Sequence, residues 1–350
     1  MKIGVLLLNF GEPENPTYEE VVPFLERIFA LNSPLMGQGE VSDAEVWARS
    51  RRMAEERAPG LMHEYEIIGG SPLHAQAREQ AEALQAELAR RGHDSVVLLG
   101  MQFTDPPVES AVEAARAAGV DFLVPFPVYP ICGPSTTVAA LNQVDAWFKA
   151  NPWDVARRDI SGWHRHPLYV KTRADAIRAV VESSGLDLSD PDTRLVFSAH
   201  GTPVKYLQDG SRYEEYTREF CDAVAVELGS PAYQIGFQNH TNRPGVQWTQ
   251  PDIEAVIDSV DARRVIVDPV SFMHEQSETL AELDDDLRER AEERGLEYFR
   301  VPIPYLASDF VTMMADLVLS AVSPEAEGSV QLHQCRCKPT KGTVCLNGLG

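Results

Sequence analysis

The chain has 350 residues, 53 acidic and 31 basic, and its net charge of −22 disfavours nucleic acid as a partner, since it repels phosphate backbones. Its hydrophobic fraction of 44% and charged fraction of 24% are typical of globular proteins. A chain of this length exceeds what one hydrophobic core usually supports, so we expect two domains.

The first half of the chain alternates short apolar runs with helical periodicity. Residues 3–8, 96–99 and 122–128 have the composition of strands, and residues 75–90 have the spacing of a helix. This alternation predicts a parallel sheet flanked by helices. The apolar run at residues 3–8 is too short for a membrane span, and no later run reaches the ~18 apolar residues that a span needs. We expect a cytoplasmic protein.

The second half repeats the same alternation. Strand-like runs occur at residues 195–199, 233–237, 265–270 and 298–303, with helical segments at residues 213–228 and 279–294. The sequence therefore predicts an α/β protein with two Rossmann-like domains, residues 1–160 and 161–322, followed by a C-terminal extension at residues 323–350. The glycines form neither a G-x-G-x-x-G nor a P-loop pattern, so a dinucleotide or nucleotide phosphate site has no support.

A histidine closes one of the predicted strands. His200 follows the apolar run at residues 195–199, and Gly201 and Pro203 turn the chain away after it. Because ligands bind beyond the carboxyl ends of parallel strands, we expect the imidazole to face a cleft. It could accept a proton or bind a divalent metal there, or it could be a hydrogen-bonded turn histidine.

Three acidic residues recur at four-residue spacing in the predicted helix at residues 279–294 and just before it. Glu278, Glu282 and Asp286 would share one helix face, where like charges repel unless a cation or proton relieves them. The row could also be a solvated acidic face near a helix N-terminus. With His200 it makes a mixed nitrogen and oxygen ligand set suited to Fe²⁺, Co²⁺ or Zn²⁺.

Three of the five cysteines crowd the C-terminal tail. Cys335, Cys337 and Cys345 suggest a metal, because an odd number of thiols in a chain without an export signal argues against disulfides. Zinc and a two-iron two-sulfur cluster each need four soft ligands, and the tail supplies three. A disordered tail with incidental cysteines is the alternative.

Four segments make the chain resemble the ferrochelatase family over nearly its whole length. They are LLNFGEP at residues 7–13, YEIIGGSPL at 65–73, VFSAHGTP at 196–203 and PVSFMHEQSETLAELD at 269–284. The resemblance implies a chelatase-like fold with the active-site cleft between its two domains. It also implies that His200 and Glu278 are catalytic, and that both, with Glu282 and Asp286, handle the metal.

The implied reaction inserts Fe²⁺, a substrate, into a porphyrin and releases two protons in haem synthesis. The porphyrin would be protoporphyrin IX or coproporphyrin III. A cleft that bends the ring would expose its nitrogens to the metal. Candidate ring-contacting residues, each of which could instead be ordinary core, are Phe10, Met36, Tyr129 and Trp248.

Some members of the family carry a two-iron two-sulfur cluster held by three C-terminal cysteines and one earlier cysteine. The resemblance implies such a cluster on Cys335, Cys337 and Cys345, with Cys132 as the fourth ligand and zinc as the alternative metal. It would tie the tail to the body of the protein as a structural element. Cys221 lies among apolar residues and is interpreted as a core thiol.

The sequence also departs from the family pattern. Gln276 stands where many members have a histidine, with Glu275 and His274 just before it, and Gln102 stands where many have an arginine. Two other functions stay open, a cobalt chelatase of a corrin pathway and a non-catalytic tetrapyrrole or metal carrier. We expect a monomer or homodimer with at most peripheral membrane contact, through residues 28–36.

Overall fold

A four-stranded parallel sheet forms the first half of the chain. The computed structural model describes residues 1–33, 42–239, 246–326 and 329–347. The strands are β1 (Ile3–Asn9), β2 (Ser95–Met101), β3 (Phe122–Pro127) and β4 (Ala156–Arg157), in the order β2-β1-β3-β4. Helices of this half are α1 (Tyr18–Leu31), α2 (Asp43–Ile68), α3 (Leu73–Arg90), α4 (Val108–Ala117) and α5 (Ala139–Ala150), the last continuing a π turn at Pro134–Val138. β1 is buried along its whole length, as expected for a parallel strand covered on both faces.

The second half builds the same sheet again. Its strands are β6 (Thr193–His200), β7 (Tyr233–Gln238), β8 (Arg264–Asp268) and β9 (Glu297–Arg300), parallel in the order β7-β6-β8-β9. Its helices are α6 (Pro167–Ser183), α7 (Val204–Gln208), α8 (Tyr213–Glu227), α9 (Ile253–Ser259), α10 (Ser277–Leu280), α11 (Leu287–Glu293) and α12 (Ser308–Val322). In both sheets the strand that comes second in the chain lies at one edge, next to the strand that comes first. The predicted α/β fold with two similar halves is therefore confirmed.

This shared order fixes where a ligand can bind. In each sheet the chain reverses its direction of strand addition between the first strand and the third, and a crevice opens there beyond the carboxyl ends. In the first sheet that point lies between β1 and β3, and in the second between β6 and β8. Residues that follow these four strands are therefore the ones that the fold brings to a site.

The C-terminal tail packs on the first half. β10 (His333–Gln334) and β11 (Thr343–Cys345) join β5 (Asp159–Ile160) in a three-stranded sheet. Lys338 of the tail donates through Nζ to Asn142 and Asp145 of α5, at 2.9 and 2.5 Å. A short sheet and one buried ammonium thus hold the tail in place.

The two halves share one apolar core. Side chains of β1 and β3 belong to the same buried cluster as side chains of β6, and α12 packs against both α3 and α6. Arg91, the residue directly after α3, contacts Asp316 of α12 at 2.6 Å. The domain boundaries expected at residues 160 and 322 fall within this shared core and stay predictions.

The helix expected at residues 279–294 is broken into three parts. α10 ends at Leu280, a π turn occupies Glu282–Asp286, and α11 follows. Within the π turn the N–H of Asp286 donates to the carbonyl of Ala281, five residues back, at 3.1 Å. The expectation of one regular helix is therefore wrong, because the wider turn inserts an extra residue in the middle of the acidic row. Within the described parts of the chain, no helix combines the length and apolarity needed to cross a membrane.

Candidate active site

A cavity of about 520 Å³ opens at the two crevices. Its walls come from both halves: the loops after β1 and β3, the facing sides of α1 and α2, the end of β6 and the loop between β8 and α10. Apolar side chains dominate, and a few titratable groups converge at one end. A mostly apolar cleft with convergent polar groups is typical of a site for a flat organic ligand.

His200 is the last residue of β6 and lines the cavity, where 40% of its side chain is exposed. Its backbone N–H donates to Ser271 Oγ at 2.8 Å, which fixes the strand end. Its Nδ1 lies 2.6 Å from the carbonyl oxygen of Gly201, and its Nε2 lies 3.1 Å from Glu278 Oε1. The turn at Gly201 therefore directs one ring nitrogen at a carboxylate inside the cavity.

Glu278 lies in the first turn of α10, with 19% of its side chain exposed. Besides His200, its carboxylate accepts hydrogen bonds from the amides of Asn239 and Gln276. Asn239 adopts a φ of 60°, a left-handed conformation that costs energy for most residues and that asparagine tolerates best. The fold thus places a strained residue beside the carboxylate.

The hydrogen bonds define the protonation of this pair. A carbonyl oxygen and a carboxylate are both acceptors, so protons on both ring nitrogens of His200 satisfy these two contacts, while the Asn239 amide, 3.4 Å from Nε2, donates to Glu278. Burial by itself lowers the pKa of His200, but the charge and hydrogen bond of Glu278 outweigh it and raise the pKa to about 9. Desolvation raises the pKa of Glu278, but the charge of His200 and hydrogen bonds from His200 and Asn239 outweigh it and lower the pKa. At neutral pH the two form an imidazolium–carboxylate pair.

The acidic row continues from Glu278 into the π turn. Glu282 lines the cavity and accepts a hydrogen bond from Gln238 at 3.1 Å, and the same amide donates to the backbone carbonyl of Glu278 at 2.7 Å. Burial raises the pKa of Glu282 to about 8, and the charge of Glu278 adds to the effect. Asp286 is exposed and does not line the cavity. The row therefore runs from the cavity to solvent.

Sequence reasoning missed a second buried carboxylate. Glu12 follows β1, lines the cavity and is 4% exposed. Burial raises its pKa to about 7, against the opposing effect of hydrogen bonds from Ser277 and Ser71. The signal was present in LLNFGEP, where an acidic residue lies three positions after the end of a strand that is buried along its whole length.

Aromatic residues form the apolar walls. Phe10, Tyr129 and Trp248 all line the cavity, as expected, whereas Met36 lies outside the described residues. Phe10 packs 4.5 Å from Phe103, centroid to centroid. Two basic residues that sequence reasoning also missed, Arg49 and Arg57 of α2, line the same cavity.

The residues at which the sequence departs from the family pattern make different contacts in the structure. The Gln276 amide donates a hydrogen bond to the Glu278 carboxylate. Glu275 instead forms an ion pair with Arg300 at 2.9 Å and accepts a hydrogen bond from the backbone N–H of Ile303. His274 is buried, and burial lowers its pKa to about 3, so it stays neutral. Gln102 is buried and accepts a hydrogen bond from the Tyr129 hydroxyl at 2.7 Å.

The structure brings four cysteines together. Sγ atoms of Cys132, Cys335 and Cys337 lie within 4.8 Å of one another, and Cys345 packs in the same cluster. Hydrogen bonds from the three other thiols lower the pKa of Cys335 far below its usual range. Cys132 lies between Ile131 and Gly133, which line the cavity, so the cysteines lie directly behind its wall. Cys221 is buried elsewhere, in the large core.

Comparisons with known proteins identify close relatives of the chain. A family model described as Ferrochelatase matches residues 2–322. The ferrochelatase of Synechococcus sp. (strain JA-3-3Ab) is 35% identical over 334 residues, which cover 91% of this chain and 93% of that protein. The ferrochelatase of Aquifex aeolicus (strain VF5) is 31% identical over 334 residues, with 92% and 100% covered.

A solved structure of another protein resembles this chain in fold. SirB from Bacillus subtilis with Fe³⁺ has a TM-score of 0.53 to this chain at 10% identity, over 94% of this chain and 99% of that one. The two proteins therefore share the architecture of two parallel sheets flanked by helices.

Proposed function

Because the chain belongs to the ferrochelatase family, we propose that His200 and Glu278 carry out the family's reaction here, the insertion of Fe²⁺ into a porphyrin. The chain is an enzyme of haem synthesis that inserts a metal ion into a tetrapyrrole. One observation supports the two residues above all: they contact each other at 3.1 Å inside the cavity that both halves line.

The pair deals with protons. Metallation removes two pyrrole N–H protons from the porphyrin as the dication enters. A metal ion needs deprotonated ligands, so its approach to Glu278 drives the proton of His200 along the acidic row to solvent. The imidazole then has a free lone pair at Nε2. It accepts the two ring protons in turn and passes the first to solvent along the same row before it takes the second.

The acidic row conducts charge between the cavity and solvent. Glu282 is neutral at neutral pH and loses its proton when a dication comes near. Together with Glu278 it offers oxygen ligands, which suit a ferrous ion held briefly, while Asp286 meets solvent at the outer end. Metal and protons thus share a path along one side of the cavity.

The walls hold the porphyrin. Phe10, Tyr129 and Trp248 provide aromatic faces for the flat ring, and the cavity volume of about 520 Å³ suits a ligand of that size. The guanidinium groups of Arg49 and Arg57 provide positive charge for carboxylates at the porphyrin rim. Ring and rim are therefore recognised by different groups.

A second part of the proposal concerns the four cysteines, which fit a two-iron two-sulfur cluster by number and by chemistry. Cys132, Cys335, Cys337 and Cys345 supply four soft sulfur ligands, and the backbone N–H of Lys338 donates to Cys335 Sγ at 3.4 Å. Such a cluster would supply a rigid covalent link between the tail and the loop after β3. A reducing cytoplasm, which we propose as the location, keeps these thiols free for ligation.

Zinc is the second candidate at the same cysteines. Three sulfurs within 4.8 Å of one another can reach a single ion, and a tetrahedral zinc site takes four such ligands at about 2.3 Å each. Iron and sulfide analysis of anaerobically purified protein separates the two, since a cluster gives two irons and two sulfides per chain and zinc gives neither.

The family match does not favour a cobalt chelatase of a corrin pathway or a non-catalytic carrier. Multiple-turnover insertion distinguishes an enzyme from a carrier. With zinc and a fluorescent porphyrin in large excess over protein, the proposal expects metalloporphyrin to accumulate far beyond one equivalent. Formation that stops at one equivalent would show a carrier.

A further inference from the structure

The Glu12 carboxylate joins the two halves at the inner end of the cavity. Its Oε2 accepts from Ser71 Oγ at 2.5 Å, and its Oε1 accepts from Ser277 Oγ at 2.6 Å. The backbone N–H of Ser277 also donates to Oε2, at 3.2 Å. Glu12 and Ser71 belong to the first half, whereas Ser277 lies 265 residues from Glu12 and opens α10.

Burying this carboxylate costs free energy. A carboxylate moved out of water loses solvation that only paired charges or several hydrogen bonds can offset, and among the described residues no cation forms an ion pair with Glu12. The hydrogen bonds from Ser277 and Ser71 favour its charge, but burial and the charge of Glu278 of α10 oppose it and outweigh them. A costly group of this kind, placed in a cleft, points to a role in function.

The role of Glu12 follows from the position of Ser277 at the start of α10. α10 has only four residues, and a helix of that length has no stability of its own. A capping box of Gln276 and Thr279 holds its first turn, and the two hydrogen bonds from Ser277 to Glu12 tie that turn to the other half. The next residue is Glu278, so these bonds help to set where that carboxylate points.

We propose that Glu12 is a positioning residue for metal insertion, which anchors Ser277 so that Glu278 faces His200. The proposal rests on the catalytic role assigned above to Glu278. It extends that role to a residue of the other half, so that both halves must be docked before the pair is aligned. Loss of the anchor is expected to slow the chemical step, because Glu278 departs from its contact distance, while the aromatic walls at Phe10, Tyr129 and Trp248 stay in place.

Two substitutions and their combination test the anchor. Glu12→Gln leaves an amide that cannot accept from Ser71 and from both Ser277 donors at once, and Ser277→Ala removes one of those donors. Each is expected to lower kcat by ~10–100-fold with KM for the porphyrin changed less than ~3-fold. Because both remove one interaction, the double variant should be no slower than the slower single variant.

Asp252→Asn is the matched control. Asp252 accepts from the backbone N–H of Glu254 at 2.8 Å at the start of α9, so it also caps a helix, and it does not line the cavity. Its kcat should equal that of the wild type. Far-ultraviolet circular dichroism checks that each variant folds, and Ser277→Ala, the smaller change, carries the test if Glu12→Gln does not fold.

Glu278→Gln separates the positioning role of Glu12 from the catalytic role of Glu278. Wild-type kcat in Glu12→Gln, or kcat losses that multiply in the double variant, would overturn the positioning role while an inactive Glu278→Gln left the catalytic assignment intact. An active Glu278→Gln would instead overturn the catalytic assignment itself.

Discussion

Glu278 Oε1 lies 3.1 Å from His200 Nε2, although 78 residues separate the two along the chain. β6 carries the imidazole at its end, and α10, which follows the loop after β8, carries the carboxylate. β6 and β8 are neighbouring strands at the switch point of the second sheet. The topology alone therefore brings an acid and a base together at the cavity.

The titration of His200 should depend on Glu278. Burial lowers the pKa of the imidazole and Glu278 raises it, to about 9 in the wild type. In Glu278→Gln burial still lowers the pKa, and only the Gly201 carbonyl and Glu282 still raise it, so the pKa should fall from its wild-type value. Nuclear magnetic resonance of the histidine Cε1 protons measures both values, and equal values in the two proteins would refute the pairing.

The same pair should give stability a dependence on pH. A pKa that is raised in the folded state means that the pair stabilises the protein fully below about pH 6.5 and loses this effect as pH rises through about 9. Urea unfolding at several pH values should show the decline in the wild type and a flatter profile over that range in Glu278→Gln.

Two neighbouring acids should differ in their effect on turnover. Glu278→Gln removes a carboxylate that contacts His200 and should lower kcat by ~100-fold or more. Glu275→Gln weakens bonds to Arg300 and Ile303 outside the cavity, so it should cost ~1–2 kcal/mol of stability with a smaller loss of kcat. Steady-state insertion and urea unfolding measure both, and equal losses of kcat would show that the wrong acid is assigned.

A buried ion pair beneath the second sheet should be sensitive to loss of one partner. Arg173 of α6 and Asp268 of β8 contact each other with both side chains 0% exposed. Asp268→Asn leaves the guanidinium buried without its counter-charge, which should cost ~3–5 kcal/mol of unfolding free energy.

The exposed pair Lys205–Asp209 provides the comparison for that experiment. Asp209→Asn should cost less than ~1 kcal/mol, because both side chains are about half exposed. Urea unfolding measures both substitutions. A loss below ~1 kcal/mol in Asp268→Asn would contradict the account of the buried pair.

The cysteine cluster should be detectable by colour. Purified anaerobically, the wild type should absorb in the visible range, and Cys132→Ser, Cys335→Ser, Cys337→Ser or Cys345→Ser should each lose that absorption. Cys221→Ser is the control and should keep it, because Cys221 lies in the large core away from the cluster. A colourless wild type with one bound zinc would indicate the zinc site. A metal-free wild type would show that the four cysteines bind no metal.

Short apolar runs were enough to predict the longer strands of the two parallel sheets, though not the two-residue strand β4, and to predict where chemistry begins. The apolar runs at residues 3–8 and 195–199 became β1 and β6, and a histidine at the end of such a run can only face the carboxyl edge of its sheet. His200 was therefore accessible to sequence reasoning without any contact being known.

Other features depend on contacts that the sequence does not display. The role of Glu12 depends on its contact with Ser277, 265 residues away. The π turn at Glu282–Asp286 has the same four-residue acidic spacing as an ordinary helix, so the spacing does not reveal it. Arg49 and Arg57 look like solvated helix residues until α2 is seen to form a wall of the cavity. Such placements are set by tertiary packing and not by local pattern.

Anaerobic iron insertion by His200→Ala tests the central claim most directly. The variant should fold, since the ring is partly exposed at a strand end, although it loses the stability that the pair with Glu278 contributes, and it should still quench porphyrin fluorescence on binding. The account predicts that its kcat for Fe²⁺ insertion falls by ~100-fold or more while binding persists. A folded His200→Ala enzyme that inserts iron within a few-fold of the wild-type rate would contradict it.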